Sequence, residues 1–227
     1  LNVGDYEYAC YSLTNLCMYL NRTDAEVASL ENIIHTTEET AIQLKQQISV
    51  IPPLIEKALV LSLLGRSSNP AVLNIDPYSV PQDLQKGIAE LTEYMINIRK
   101  VFLAYVFDEY THIEEYIQKA EEAWGQLSTP LLFFKVDYYF YIPLASIQLY
   151  TKVAALKDKK RHLRKARKSL KVMKKWADLG PVNFLHKYYL LQAELYRVTG
   201  KSVQAAELYD KAIATAHENE YVNEAAI

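Results

Sequence analysis

Helix start and stop signals recur along the whole of this 227-residue chain. No segment alternates apolar and polar residues between paired turn signals in the way a half-buried strand requires. That punctuation confines the fold to the all-α class. Composition agrees, because six glycines with 50% hydrophobic and 23% charged residues leave enough apolar surface for a core and too little glycine for turn-rich β architecture. Asp5 caps a first helix to about Leu20, and Thr23-Asp24-Ala25-Glu26 reads as a capping box opening a second, to about Gln47. Pro52 and Pro53 suit the first turn of a third helix that stops at Gly65. Residues 65–80, with Asn69, Pro70 and Pro77, form the one long loop. Further helices are predicted at about 81–107, 109–125, 130–156, 158–178, 183–198 and 202–218, with a last one from near Tyr221. Thr129-Pro130, Gly180-Pro181 and Gly200 punctuate them. Connections this short set successive helices antiparallel, as hairpins.

Three segments look alike: Gly4-Asp5-Tyr6-Glu7-Tyr8-Ala9, Asp108-Glu109-Tyr110-Thr111-His112-Ile113 and Gly200-Lys201-Ser202-Val203-Gln204-Ala205. The last fits a tetratricopeptide pattern best, with Ala193 and Tyr196 as the small and aromatic positions of a first helix and Ala205, Tyr209 and Ala212 as those of a second. Small residues let two helices approach closely, and the tyrosines fill the space beside them. The expected architecture is a tetratricopeptide-like α-solenoid of antiparallel helix pairs over residues 1–227, with a binding groove built from the first helix of each pair.

A second string runs from Met173-Lys174-Lys175-Trp176-Ala177-Asp178 through Pro181 to Asn183-Phe184-Leu185-His186-Lys187-Tyr188-Tyr189-Leu190, closed by Ala193-Glu194. With Gly4-Asp5 to Asn15 and Leu103-Ala104-Tyr105, it resembles the helical region of very large bacterial signalling proteins. There a serine/threonine-kinase-like domain and an ATPase domain precede the helices, and a GAF domain and often a histidine kinase follow. The resemblance covers most of the chain and is strongest over 170–220. It departs at the long loop, at Asp108 where glycine is usual, and in the basic stretch before Met173. It implies a connecting and partner-sensing role and carries over no catalytic residue. The start at Leu1 and the end inside a helical pattern at Glu224–Ile227 fit a segment of a longer protein.

Chemistry-bearing constellations are sparse. No glycine-rich turn precedes a Lys-Ser or Lys-Thr pair, so a phosphate loop is not expected. His35, His112, His162, His186 and His217 are dispersed without metal-ligand spacing, and neither a metal nor a cofactor is expected. An enzyme reading would need Glu194 and Glu207 to converge with His186. Cys10 and Cys17 lie about 10 Å apart along one helix, too far to pair, and read as reduced core residues. The aromatic run from Phe133 to Tyr141 reads as core, with its tyrosines available at a groove edge. No signal peptide or membrane-length apolar stretch is present, and the expected location is cytoplasmic.

One stretch departs from generic helix packing. Residues 157–175 hold eleven Lys or Arg and one Asp, so the near-neutral total of −2 conceals a segment of +10 in a remainder of −12. Leu163, Ala166, Leu170, Met173 and Ala177 recur at helical spacing and would dock one side. Lys160, Arg161, Arg164, Lys165, Arg167, Lys168 and Lys171 are the candidate partner-binding residues on the other. An acidic protein surface, or a neighbouring domain of the same parent, is the expected partner, with weak nucleic-acid binding the runner-up. A regulatory small-ligand pocket between helix layers is a further alternative.

Overall fold

The computed structural model describes residues 5–20, 25–75, 86–128 and 132–227, and every regular element among them is helical. The elements are α1 (Tyr6–Leu20), α2 (Val27–Gln43), α3 (Gln47–Leu63), α4 (Lys86–Val106) and α5 (Ile113–Gln126), then α6 (Leu132–Lys152), α7 (Leu156–Leu179), α8 (Pro181–Val198), α9 (Ser202–Glu218) and α10 (Val222–Ala225). The protein is all-α, as its punctuation requires. Gly4, Thr23, Asp24, Thr129, Pro130 and loop residues 76–80 lie outside the described residues.

Several boundaries follow the expected chemistry. The Asp5 carboxylate accepts the Tyr8 backbone N–H at 3.2 Å, and Pro181 opens α8 directly after Gly180. Others do not. Glu26 is itself the N-cap of α2 and makes no side-chain cap bond, so it does not occupy the third helical position that a capping box from Thr23 would give it. Pro52 and Pro53 fall inside α3, not at its start. The Ser49 carbonyl, which the Pro53 nitrogen cannot serve, accepts instead from the Thr14 hydroxyl at 3.3 Å. The α4–α5 turn is longer than expected, because Asp108 takes a left-handed backbone (φ 52) and α5 starts only at Ile113.

Successive helices pack as pairs, α2 on α3, α4 on α5, α6 on α7 and α8 on α9, while α4 also packs on α6 and α6 on α8. Ala193, Ala205 and Ala212 are buried where α8 meets α9. Helix α6 is the centre of the molecule, with every residue from Phe140 to Leu149 buried. Helices α4, α7 and α8 all pack on α6. The segment just before α2 also meets α10, since the Asn223 amide donates to the Ala25 carbonyl at 3.2 Å.

The main core joins Ile55, Tyr94, Ile98, Leu103, Ile117 and Phe140. Phe133, Phe134 and Tyr141 of the aromatic run are buried, whereas Tyr138 and Tyr139 are half-buried at its edge. Cys10 and Cys17 are free, buried thiols whose pKa values burial raises. Between α3, α4 and α6 lies a buried ionic triad in which Arg99 meets Glu56 at 2.6 Å and Asp137 at 3.0 Å.

Candidate interaction surface on the seventh helix

Helix α7 is rich in Lys, Arg, Leu and Ala, all good helix formers, and carries Asp158 in its first turn, where the helix dipole favours an acid. One side is buried through His162, Ala166, Ser169, Met173 and Ala177, with Leu163 and Leu170 partly covered beside them. The expected docking stripe is therefore present. The other side carries Lys160, Arg164, Arg167, Lys168, Lys171, Lys174 and Lys175, all exposed. None of the seven makes an ion pair among the described residues. At 1.5 Å per residue they extend over roughly 22 Å of helix.

Two of the expected partner-binding cations are already engaged. Arg161 donates to Glu114 at 2.6 Å and Lys165 to Glu121 at 2.7 Å. The acids stand seven apart on α5 and the cations four apart on α7, so each pair occupies one side of its helix. Pairs this exposed contribute about 0.2–1 kcal/mol each. His162 lies beneath them, 3.3 Å from Glu114. Burial pushes its pKa down against the pull of that carboxylate, leaving the imidazole neutral at pH 7.

Between α5 and α7, over α6, runs a groove of about 610 Å³. Trp124, Tyr138 and Tyr139 form its apolar side, and Arg161, Arg164, Lys165 and Lys168 its charged side, with Glu121 between them. Trp124 and Tyr138 stack with ring centres 4.6 Å apart, and Tyr139 stands edge-on to Trp176. Burial, then the Glu121 charge, push the Tyr138 phenol up. The basic stretch was legible in sequence, but the groove was not, because it needs α5 and α7 to meet across α6. The signal that could have exposed it is that Glu114 with Glu121, and Arg161 with Lys165, each share one side of a helix.

The motif from Asn183 to Leu190 becomes a polar clamp on α10. His186 Nε2 lies 2.7 Å from Glu224, Lys187 donates to the same carboxylate, and the Tyr221 hydroxyl donates to Asn183 Oδ1 at 2.6 Å. The His186 ring stacks on Tyr221 with centres 4.6 Å apart. Burial lowers the His186 pKa. Burial alone would raise that of Glu224, but Lys187 and His186 overcome it and hold the carboxyl at about 2. A cavity of about 210 Å³ beside the clamp is lined by His186, Glu194, Tyr105 and Tyr209 among others. Glu194 is paired with Arg197 at 2.6 Å and accepts the Tyr209 hydroxyl. Glu207 is exposed on α9 and is not part of this cavity. Tyr196 is half-buried, with Lys201 over its ring at 4.8 Å. His35, His112 and His217 are exposed. Among the described residues no three His, Cys, Asp or Glu side chains gather as a metal site would require, and no helix is long and apolar enough to cross a membrane.

No family model matches the chain, and no curated protein or solved structure matches it either.

Proposed function

We propose that this chain is a non-catalytic docking module built of tetratricopeptide-like helix hairpins, and that it engages an acidic protein surface through the outward face of α7. One observation carries this reading: seven exposed cations, Lys160, Arg164, Arg167, Lys168, Lys171, Lys174 and Lys175, share that face without a counter-ion among the described residues. A helix that only needed a solvated face would be expected to mix charges of both signs. The hairpin succession and the buried Ala193, Ala205 and Ala212 support the repeat reading. Resemblance to large signalling proteins makes an acidic helix of a neighbouring domain the natural candidate partner. Much of the remaining surface is acidic, which disfavours a long polyanion such as nucleic acid.

The test replaces Arg164, Arg167, Lys168 and Lys171 by Glu and leaves Lys165 in place, because it holds Glu121. Affinity for a labelled polyglutamate-rich helical peptide should fall at least about tenfold at low salt, with far-UV circular dichroism unchanged. Unchanged affinity, indifferent to salt, would show the face to be merely solvated. A second reading, regulatory binding of a small molecule in the cavity beside His186, has less support. The acids there, Glu194 and Glu224, are already paired.

A further inference from the structure

We infer that the groove between α5 and α7 is the anchor point of this interaction, and that its occupant is an acidic amphipathic helix presenting an aromatic side chain between two carboxylates one helical turn apart. This inference rests on the reading of α7 as the contact surface and names the partner's chemistry. A row of lysines and arginines steers an acidic partner and sets its register, but residence depends on a desolvated apolar anchor. Part of the cationic face adjoins an apolar wall, in the groove of about 610 Å³ lined by Trp124, Tyr138 and Tyr139.

The charges along that groove are not equivalent. Arg161 and Lys165 are neutralised by Glu114 and Glu121. Arg164 and Lys168, which line the same groove, have no such partner among the described residues. They stand four residues apart, hence one turn apart on one side of α7. The complementary element offers two carboxylates at the same spacing. An aromatic residue on the same stripe, between them, would meet the Trp124–Tyr138 stack, where rings pack offset or edge-on. Glu121 and Lys165 hold each other, so the aromatic side of the groove offers no free cation among the described residues and favours an occupant that puts an apolar group there.

The full chain carrying Trp176→Phe leaves Trp124 as its one tryptophan, since the sequence holds two. The probe is a helical peptide with two glutamates one turn apart and a phenylalanine between them, compared with its alanine counterpart and with a short DNA duplex. The phenylalanine peptide should bind about tenfold more tightly than the alanine peptide and shift Trp124 fluorescence. Arg164→Glu with Lys168→Glu should abolish that preference, and so should the milder Arg164→Gln with Lys168→Gln. Lys171→Glu, Lys174→Glu and Lys175→Glu together should weaken both peptides alike and leave the preference intact. Equal affinity for the two peptides, with both sets of reversals equally damaging, would overturn the groove and leave the α7 reading standing. Insensitivity to every reversal would overturn both. Tighter binding of the duplex than of either peptide would replace a protein partner with nucleic acid.

Discussion

Arg99 sits among Glu56 and Asp137 with almost no exposure, holding α3, α4 and α6 together at one point. Burial alone would lower the guanidinium pKa, but the two carboxylates raise it, so the group stays charged. Removing it would take the cation away from two buried acids. Arg99→Leu should therefore destabilise the protein by about 3–5 kcal/mol, measured by urea unfolding, while Arg99→Lys should recover part of the loss. Acid should act through different residues. His162 and His186 have pKa values depressed below their ordinary 6.5. The unfolded chain therefore binds protons first, and stability should decline as pH falls below about 6.5. Glu224, at about 2 in the fold against an ordinary 4.5, contributes stability above 4.5 that disappears as pH falls towards 2. Unfolding measured across this range should show both losses, and Lys187→Met should shrink the second. Neither site was legible in sequence. Arg99 looks like any cation on an amphipathic helix, and its partners stand 43 and 38 residues away. His186 was singled out by its motif, but Glu224 became its partner only through the fold.

Helix ends show which signals reach the sequence. After α2, α3, α4, α8 and α9 the chain closes with the same pair of backbone bonds, for example Gln46 N–H to Ala41 and Lys45 N–H to Ile42. Each of these turns places one residue at positive φ: Lys45, Gly65, Asp108, Gly200 and Glu220. Gly65 and Gly200 announced their turns because glycine adopts that backbone without strain. The other three carry side chains and give no such signal, which is why the punctuation predicts a second helix running past Gln43 and a fifth beginning before Ile113. Lys45 and Glu220 are exposed. Lys45→Gly and Glu220→Gly should each stabilise the protein by about 0.5–1 kcal/mol, as relief of the left-handed strain outweighs the entropy of the added glycine. Thermal unfolding would check this, and a fall in midpoint for both would contradict it. The internal prolines of α3 misled for a related reason. A proline inside a helix reads as a start unless something else takes the freed carbonyl, and Thr14, 35 residues from Ser49, does so.

At the scale of the molecule, helix class followed from punctuation and composition, and the side of α7 that docks from periodicity. The enclosure of α6 did not, because it depends on α4, α7 and α8 packing around it. Positive charge is concentrated on the exposed face of α7. Two acids of α5 already dock on the same helix, which gives an internal example of the proposed recognition. The account's central claim is that this face selects acidic partners by charge, and a charge swap tests it most directly. The affinities of an acidic helical peptide and its lysine-substituted counterpart are measured against the native chain and the Arg164→Glu, Arg167→Glu, Lys168→Glu, Lys171→Glu variant, at low and high salt. The native chain should prefer the acidic peptide, the variant should prefer the basic one, and high salt should erase both preferences. Identical preferences in the two proteins would contradict the account.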